Sequence, residues 1–524
     1  MRTRLLVLAA AVLLIGGCSN SNGLIDTGSD DGSTSGNLRF DAGARRDAGP
    51  ATLDAGQARA DAGSPADGGH VADAGTPGGL AWVTLTGPRR GPIELRFSLP
   101  PAVDGGAAFS SYALMLDNSG FVNATVLPAE VALGSITFVW DSFADLSEDR
   151  LVSLKLVASR GVSSQTVNFT LDVRNGLDPV RLVAVAQPLV PLPGGSTGTT
   201  GTGVSLVRWS PTDAGVAARR FETVGSVQIV RAAPHGRSVA VMGSTEMLLI
   251  KTPLDADLAR AALSPVTALG GSPTDLQWSR DGRIVYLLSG MGGGRGPVLE
   301  AFRVKEDQSG FEAPVTVTSF DRPPLRFDID KTTGRFIIVV GLGMTASTGK
   351  LLLLERDGGS VGTPLDRDWG VNNALTVSPR GDLAVLTSNY GNSGDQVFIV
   401  NIGPSGFGSV DVRTSIVTPF DVVFDPRSTA TARTFVVSNQ DGDGITSVTA
   451  SSTTTIRPKT GGIPLAFDLD MIERGPRVGT GFVAALQKIY QFNLSSTGLV
   501  QTPKAAYDFG GGTVNEPYAV AVQR

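Results

Sequence analysis

Apolar runs separated by short glycine-containing turns fill the C-terminal two thirds of the chain. Val227–Val230 leads through Gly236 into Ser238–Met242, and the same pattern recurs with turn glycines at 282, 334 and 381. These glycines are 46, 52 and 47 residues apart. Repeats of about this length, each with several short strands, are typical of β-propeller blades.

The two ends of this repeating region complement each other. Six repeats have their first strand in place, whereas 178–192, 205–209 and 219–223 supply only later strands of a blade. Tyr518–Val522, at the end of the chain, supplies an unpaired first strand. We therefore predict a propeller over residues 178–524 whose last blade combines both ends and leaves no open sheet edge. Seven blades are expected, with six and eight as the alternatives.

A shorter region, residues 79–176, alternates apolar and polar positions. Val152–Leu156 and Val167–Val173 alternate strictly, which is typical of strands with one buried and one wet face. Seven such strand candidates in about a hundred residues predict a small β-sandwich. Trp140 is expected in its core. The predicted fold class is therefore all-β, with a sandwich followed by a propeller.

The N-terminus has the pattern of a secretory signal. Arg2 and Arg4 precede the apolar run Leu5–Ile15, which is too short for the roughly 20 residues that span a bilayer. Leu14–Cys18 resembles the lipobox of bacterial lipoproteins. That resemblance implies cleavage of a signal peptide over 1–17 and acylation of Cys18, so that the protein is anchored to a membrane.

Residues 18–78 contain few large apolar side chains and repeat Asp-Ala-Gly, as at 41–43 and 47–49. Such a composition cannot form a core, so we predict a disordered linker with a reach of roughly 40–45 Å. The linker resembles those of myxobacterial envelope lipoproteins. Ser19 is not the aspartate linked with inner-membrane retention in enterobacteria, and the expected location is therefore the outer membrane, facing the periplasm or the surface.

Composition excludes several classes of site. Cys18 is the only cysteine, and His70 and His235 are the only histidines, so disulfides, cysteine-rich zinc sites and histidine-based metal clusters are not expected. The net charge of −5, with both signs scattered, argues against nucleic acid as a partner. No cofactor is expected.

Two segments carry patterns found in ligand-binding loops. Asn439, Asp441 and Asp443 match the first half of a calcium loop, but Ala450 stands where the loop needs glutamate, so a hairpin is favoured over a calcium site. The glycine-rich stretch 290–296 opens no helix, which argues against phosphate binding there. A calcium-stabilised scaffold is a third, weaker functional hypothesis.

Individual titratable residues are more simply explained by structure. His235 occupies a turn position that other repeats fill with Asp281 or Arg380, so a turn role is expected. Three glutamates in or beside third strands could do acid–base work, but nothing in the sequence brings two together, and solvent exposure is expected for them: Glu246, Glu300 and Glu355.

Two resemblances concern the folded regions. Phe138–Ser142 and Phe169–Asn175 resemble segments of immunoglobulin- or fibronectin III-like modules of bacterial surface proteins, which usually act as spacers or adhesive units. The turns between apolar strands over 220–524 resemble those of seven-bladed YVTN and lactonase-like propellers. That family implies a catalytic set at one mouth of the central channel, but no such set can be matched here residue by residue.

Two functions remain open. The leading hypothesis is a non-enzymatic envelope lipoprotein whose propeller binds a protein or glycan partner. The alternative is a lactonase-like hydrolase in the periplasm or at the cell surface. Two carboxylates, or a carboxylate and His235, within about 4 Å at one channel mouth would favour the hydrolase.

Overall fold

In the computed structural model, the described strands form nine separate antiparallel sheets. This confirms the predicted all-β fold class of a small sandwich followed by a propeller. One α-helix, Ser142–Asp145, and one 3₁₀-helix, Leu258–Arg260, complete the described elements. The structure describes residues 80–524 except 84, 86–87, 100–108, 118, 127–129, 133, 147, 176–179, 188–202, 212–216, 224–226, 255, 291–295, 342–348, 371, 389–394, 441–443, 452–453, 458–459, 461–462, 474–476, 486–487, 499 and 510–516.

Two four-stranded sheets make up the N-terminal sandwich. Their strands are β1 (Ala81–Trp82), β2 (Pro92–Ser98), β3 (Ser111–Asp117), β4 (Phe121–Asn123), β5 (Glu130–Ala132), β6 (Ser135–Asp141), β7 (Asp149–Arg160) and β8 (Ser163–Arg174). One sheet has the order β1-β2-β6-β5 and the other the order β4-β3-β7-β8.

The alternating residues of both sheets meet in one core. Leu154 and Leu156 of β7 are fully buried, whereas the intervening positions face outward, as the alternation predicts. Trp140 is also fully buried, which confirms its expected place, and its Nε1 donates a hydrogen bond of 2.7 Å to Asp145. The likeness to immunoglobulin modules and the domain bounds stay predictions.

The propeller has seven sheets, six of them formed by consecutive strands. The closing blade comprises β9 (Arg181–Gln187), β10 (Gly203–Trp209), β11 (Ala217–Glu222) and β37 (Ala519–Val522). The next three blades are blade one, with β12 (Val227–Ala232), β13 (Ser238–Gly243), β14 (Glu246–Lys251), β15 (Ala262–Leu263) and β16 (Thr267–Ala268); blade two, with β17 (Pro273–Trp278), β18 (Ile284–Ser289), β19 (Val298–Arg303) and β20 (Val315–Ser319); and blade three, with β21 (Pro324–Ile329), β22 (Phe336–Val340), β23 (Gly349–Leu354) and β24 (Leu365–Arg367). The last three are blade four, with β25 (Asn372–Val377), β26 (Leu383–Ser388), β27 (Gln396–Gly403) and β28 (Gly406–Arg413); blade five, with β29 (Pro419–Phe424), β30 (Arg433–Asn439), β31 (Gly444–Ala450) and β32 (Thr455–Ile456); and blade six, with β33 (Leu469–Met471), β34 (Thr480–Ala485), β35 (Lys488–Asn493) and β36 (Lys504–Asp508).

The closing blade confirms the predicted union of the two chain ends. β37 pairs antiparallel with β9, with Ala519 opposite Ala186. The Gln523 side chain accepts a hydrogen bond from Leu182 N (3.1 Å) and donates one to Gly236 O in blade one (2.7 Å). The C-terminus therefore ties the closing blade to its neighbour.

Each blade packs between two others, and this explains the sequence pattern. Every residue of β22 is buried, because second strands are covered on both faces by adjacent blades. The recurring glycines occupy the turn after the first strand with positive φ, a conformation that side chains with a Cβ rarely adopt. Their φ values are 66° at Gly236, 69° at Gly282, 80° at Gly334 and 74° at Gly381.

The sandwich contacts the propeller at the end where these turns lie. Arg283, in the turn of blade two, forms an ion pair with Glu94 of β2 at 3.0 Å. Arg96 of β2 reaches Glu306, in the turn between β19 and β20, at 3.2 Å. We call this end of the propeller the turn end, and the opposite end, where the first strands begin, the loop mouth.

The predicted signal peptide, Cys18, His70 and the predicted Asp-Ala-Gly linker lie outside the described residues. Within the described part of the chain, no helix has the length and apolar character needed to cross a membrane.

Candidate active site at the loop mouth

Buried aspartates on the first strands connect neighbouring blades. Each carboxylate accepts a hydrogen bond from a backbone N–H in the first strand of the next blade. Because this contact repeats from blade to blade, the first strands lie side by side in the same direction. The pairs are Phe327 N to Asp275 (3.0 Å), Val377 N to Asp328 (2.7 Å), Leu469 N to Asp421 (2.7 Å), Val520 N to Asp468 (2.7 Å) and Val522 N to Asp470 (2.7 Å). A structural role is therefore common to all five carboxylates.

Two of them, Asp421 and Asp468, also make a hydrogen bond to each other. Both are 8% exposed, and burial raises the pKa of each carboxyl. The charge of Asp421 raises the pKa of Asp468 further, well above its ordinary value. Asp468 is therefore the carboxyl of the pair that takes up a proton first.

A guanidinium from two blades away faces this pair. Arg231 Nη1 of blade one lies 3.5 Å from Asp468 Oδ2 of blade six, with the closing blade between them in the ring. Burial opposes the charge of Arg231, but the surrounding aspartates outweigh it and raise the pKa of the guanidinium. Arg231 is therefore a cation beside the acid pair.

A second guanidinium at the loop mouth is held by carbonyl groups. Arg326 Nε donates to Asn373 O and its Nη1 donates to Thr274 O, both at 2.7 Å. It thereby connects blade three to blades two and four. Its charge also opposes the burial that raises the pKa of Asp275.

Three aromatic rings lie at the beginning of first strands near the acid pair. Phe420, Phe467 and Tyr518 belong to three consecutive blades, with ring centroids 5.8–6.5 Å apart. Phe420 and Tyr518 are partly exposed. Burial raises the pKa of the Tyr518 hydroxyl, which also senses Arg326 and Asp468. The loop mouth thus joins an acid pair, two guanidiniums and an aromatic surface.

His235 lies in the turn at the other end of blade one, and the predicted turn role fits its contacts. Its Nδ1 accepts a hydrogen bond from Arg237 N at 3.1 Å, so its Nε2 carries the proton that is shared with Gly282 O at 3.2 Å. Burial, helped by Arg237, lowers the pKa of the imidazole to about 3. His235 is therefore neutral and takes no part in the loop mouth.

The other predicted candidates are not brought together at the loop mouth. Asn439 donates to Val417 O and accepts from Thr446 Oγ1, each at 3.1 Å, so its amide serves the hairpin. Asp441, Asp443 and residues 291–295 lie outside the described residues. Among the residues that are described, no three acidic, histidine or cysteine side chains are grouped as a metal site would require.

The expected exposure of the third-strand glutamates was wrong in two cases. Glu246 and Glu300 are each only 7% exposed, because third strands lie between the second and the outer strands of their blades. Glu355 is half-exposed and forms an ion pair with Arg335 at 2.7 Å.

The acid pair itself was not predicted from the sequence. Asp421 and Asp468 are 47 residues apart and meet only because their blades are neighbours. A signal was present: Pro273-Thr-Asp275 and Pro419-Phe-Asp421 repeat the same Pro-x-Asp pattern at the start of a first strand. That pattern marks two of the five carboxylates that bridge blades, but it does not include Asp468.

Comparison with known proteins finds structural likeness only. No family model and no curated protein matches the chain. Among solved structures, a protein from Bacteroides fragilis provisionally named a 6-phosphogluconolactonase is 12% identical, with a TM-score of 0.48 over 65% of this chain and 98% of that one. The periplasmic gluconolactonase PpgL of Pseudomonas aeruginosa is 13% identical, with a TM-score of 0.47 over 66% and 99%. A protein of unknown function from Desulfotomaculum acetoxidans is 13% identical, with a TM-score of 0.45 over 65% and 98%.

Proposed function

We propose that the loop mouth hydrolyses a cyclic ester, a lactone, by acid–base catalysis. The observation that carries this proposal is the buried, hydrogen-bonded carboxyl pair of Asp421 and Asp468 with the Arg231 guanidinium 3.5 Å from Asp468. Two carboxyl groups whose surroundings push their pKa values apart supply both a base and an acid at one place. This was the arrangement that would favour the hydrolase over the binding hypothesis.

The three side chains take complementary parts in this scheme. The Asp421 carboxylate accepts a proton from water as the water oxygen attacks the ester carbonyl. Arg231 stabilises the negative oxygen of the tetrahedral intermediate. The ring C–O bond then breaks, and Asp468 gives its proton to the leaving alkoxide. The product is the open hydroxy acid, and the proton gained by Asp421 returns to Asp468 along their hydrogen bond.

The test measures turnover of γ- and δ-lactones, including dihydrocoumarin and glucono-δ-lactone, by the purified full-length chain. Asp421→Asn and Asp468→Asn should each lower kcat/KM by about 100-fold or more, since a positioned acid or base contributes about that factor. Asp328→Asn is the matched control, because Asp328 also accepts an N–H from the next blade but, among the described residues, is not hydrogen-bonded to another carboxyl group. It should keep kcat/KM within about threefold of the wild type.

Two results would contradict the proposal. One is a wild-type chain that is folded and opens none of these lactones. The other is an equal loss in the Asp328→Asn control, which would assign the effect to blade contacts rather than to the acid pair. Circular dichroism and thermal unfolding of each variant separate lost activity from lost structure.

Binding without turnover is the second candidate for the same mouth. It is favoured by the strand N–H groups that Asp421 and Asp468 already accept, since these bonds hold both carboxylates in structural roles. The partly exposed rings of Phe420 and Tyr518 would then contact a glycan or protein ligand. Saturable binding of a glycan, with no lactone opened, would support this function.

We also propose that Cys18 anchors the protein to the envelope, with the outer membrane as its expected site. The support is the lipobox-like stretch before Cys18 and the acidic, core-free linker after it. A Cys18→Ser variant should then leave the membrane fraction for the soluble fraction of the cell envelope. A variant that still sediments with membranes would contradict this assignment.

A further inference from the structure

A polar cavity lies between the closing blade and blade six. It has a volume of about 210 Å³, and its lining includes Trp209 at the end of β10 and side chains of β34, β35 and β36, none of which is a first strand. Pockets that hold drug-sized molecules have roughly 300–1,000 Å³. The cavity is therefore separate from the loop mouth and is sized for a smaller ligand, such as one sugar unit.

The indole of Trp209 fixes the orientation of one amide in this lining. Trp209 is 2% exposed, and its Nε1 donates a hydrogen bond of 3.1 Å to Gln491 Oε1. Because an indole N–H can only donate, the bonded atom of Gln491 is its oxygen and not its nitrogen. The Nε2 group of Gln491 has no partner within the described part of the chain and remains available as a donor.

Asn493, two residues further along β35, is held in a similar way. Its Oδ1 accepts a hydrogen bond of 2.8 Å from Thr480 Oγ1, and its Nδ2 has no partner among the described residues. Side chains two residues apart on a strand lie on the same face, about 7 Å from each other. The amides of Gln491 and Asn493 are therefore placed to donate to different atoms of one extended ligand.

Two cations belong to the same lining. Lys504 is opposite Gln491 in the pairing of β35 with β36, and Arg477 lies in the turn before Thr480. Neither cation forms an ion pair with another described residue, and none of the described residues that line the cavity is acidic. The cavity thus presents N–H donors and positive charge without a carboxylate, a combination that favours an anion.

Arg181 adds a third positive charge to this face of the closing blade. It lies opposite Trp209 in the pairing of β9 with β10, and directly opposite side chains are on the same face of a sheet. Arg181 is 1% exposed, and its Nε and Nη1 have no hydrogen-bond partner over the part of the chain that the structure describes. Because arginine keeps its charge when it is buried, this face of the blade attracts anions.

We propose that this cavity binds a sugar acid, whose hydroxyl oxygens accept hydrogen bonds from Gln491 and Asn493 and whose carboxylate is held by the charges of Arg477 and Lys504. A phosphate or sulfate ion would use the charges but not the separated amides. A free sugar acid and the uronate units of an acidic polysaccharide offer the same chemistry. The site does not depend on the function proposed for the loop mouth.

The test titrates galacturonate into the full-length chain by calorimetry, with galactose and inorganic phosphate as comparison ligands. We expect one site per chain for galacturonate. Galactose lacks the carboxylate and phosphate lacks the sugar hydroxyls, so each should bind at least about tenfold more weakly, because hydrogen bonds are lost. Trigalacturonate distinguishes the two sources: tighter binding than the monomer assigns the site to a polysaccharide, and equal binding assigns it to the free sugar acid.

Gln491→Glu tests the donor role of the amide. A glutamate can still accept the hydrogen bond from Trp209 Nε1, but it replaces the donor group by a negative charge. Galacturonate binding should therefore fall at least about tenfold, since a donor becomes a repelling carboxylate. Lys504→Gln should weaken binding by about threefold or more, because an exposed charge contributes less.

Lys488→Gln is the matched control for charge. Lys488 is also on β35, but it pairs with Asp508 at 2.9 Å and does not line the cavity, so the variant should bind galacturonate within about twofold of the wild type. Asp421→Asn should also bind like the wild type, since the acid pair is remote from the cavity.

Four results would overturn the proposal. The wild type does not bind galacturonate, or it binds galactose or phosphate equally well. Gln491→Glu binds galacturonate like the wild type while it stays folded by circular dichroism. Asp421→Asn loses the binding, which would place the sugar acid at the loop mouth.

Discussion

Buried aspartates have different neighbours at the two ends of the propeller's first strands. At the loop mouth, Asp468 is hydrogen-bonded to another acid, Asp421. At the turn end, Asp470 forms an ion pair of 2.9 Å with Arg524, which lies 3.0 Å from Glu473. The two aspartates are two residues apart on one chain segment, and both accept an N–H from β37.

This comparison separates what the connection of blades requires from what catalysis requires. Connecting blades needs only a buried acceptor, and at the turn end that acceptor is accompanied by cations. At the loop mouth two acids face one cation, and burial raises the pKa of both carboxyls. Because a hydrogen bond between two acids adds nothing to blade connection, the loop mouth is where we place the chemistry.

The largest expected effect comes from removing the cation of the loop mouth. Arg231→Gln leaves two buried carboxyl groups without a counter-charge, and breaking a buried ion pair in this way costs about 3–5 kcal/mol. The free energy of unfolding in urea at pH 7 should fall by about this amount, and lactone turnover should be lost. The deficit should shrink as the pH is lowered, because both acids have a raised pKa and take up protons as the solution becomes acidic. A loss below about 1 kcal/mol would show that the acid pair is stable without Arg231.

Sequence patterns predicted the fold better than the site, and the reason is physical. Blade period, turn glycines and the closing strand depend on local alternation and on unpaired edges, which are visible along the chain. The acid pair depends on which blades are neighbours, and the burial of Glu246 and Glu300 depends on position within a blade. Both are properties of the assembled ring.

The next effect in size concerns an aspartate that has no acid partner. Burial raises the pKa of Asp328 to about 6, against 3.8 for an ordinary aspartate. The unfolded chain therefore loses its proton first, and the stability contributed by protonated Asp328 is lost as pH rises from about 4 to 6. A shift of about two units corresponds to about 3 kcal/mol. Between pH 3.5 and 7, the free energy of unfolding in urea should fall less in Asp328→Asn than in the wild type, and the difference should be about that amount.

A matched variant should show the opposite sign. Asp382 is partly buried, which opposes its ionisation, but hydrogen bonds from Arg433 and Ser378 lower its pKa. Its contribution to stability is therefore present at neutral pH and is lost as pH falls through the lowered pKa. Asp382→Asn should lose stability relative to the wild type at pH 7 and recover it in acid. If both variants shift in the same direction, burial does not control the Asp328 carboxyl.

The smallest effect is expected at the turn end. Arg524→Gln removes the ion pairs with Asp470 and Glu473 but leaves Lys331 in contact with Glu473. Since Asp470 keeps its N–H from Val522 and burial already raises its pKa, it can take up a proton, and we expect a loss of about 2 kcal/mol in urea. Lactone kcat/KM should stay within about twofold, because Arg524 lies at the end opposite the acid pair. A large fall in turnover with intact folding would mean that the two ends act as one network.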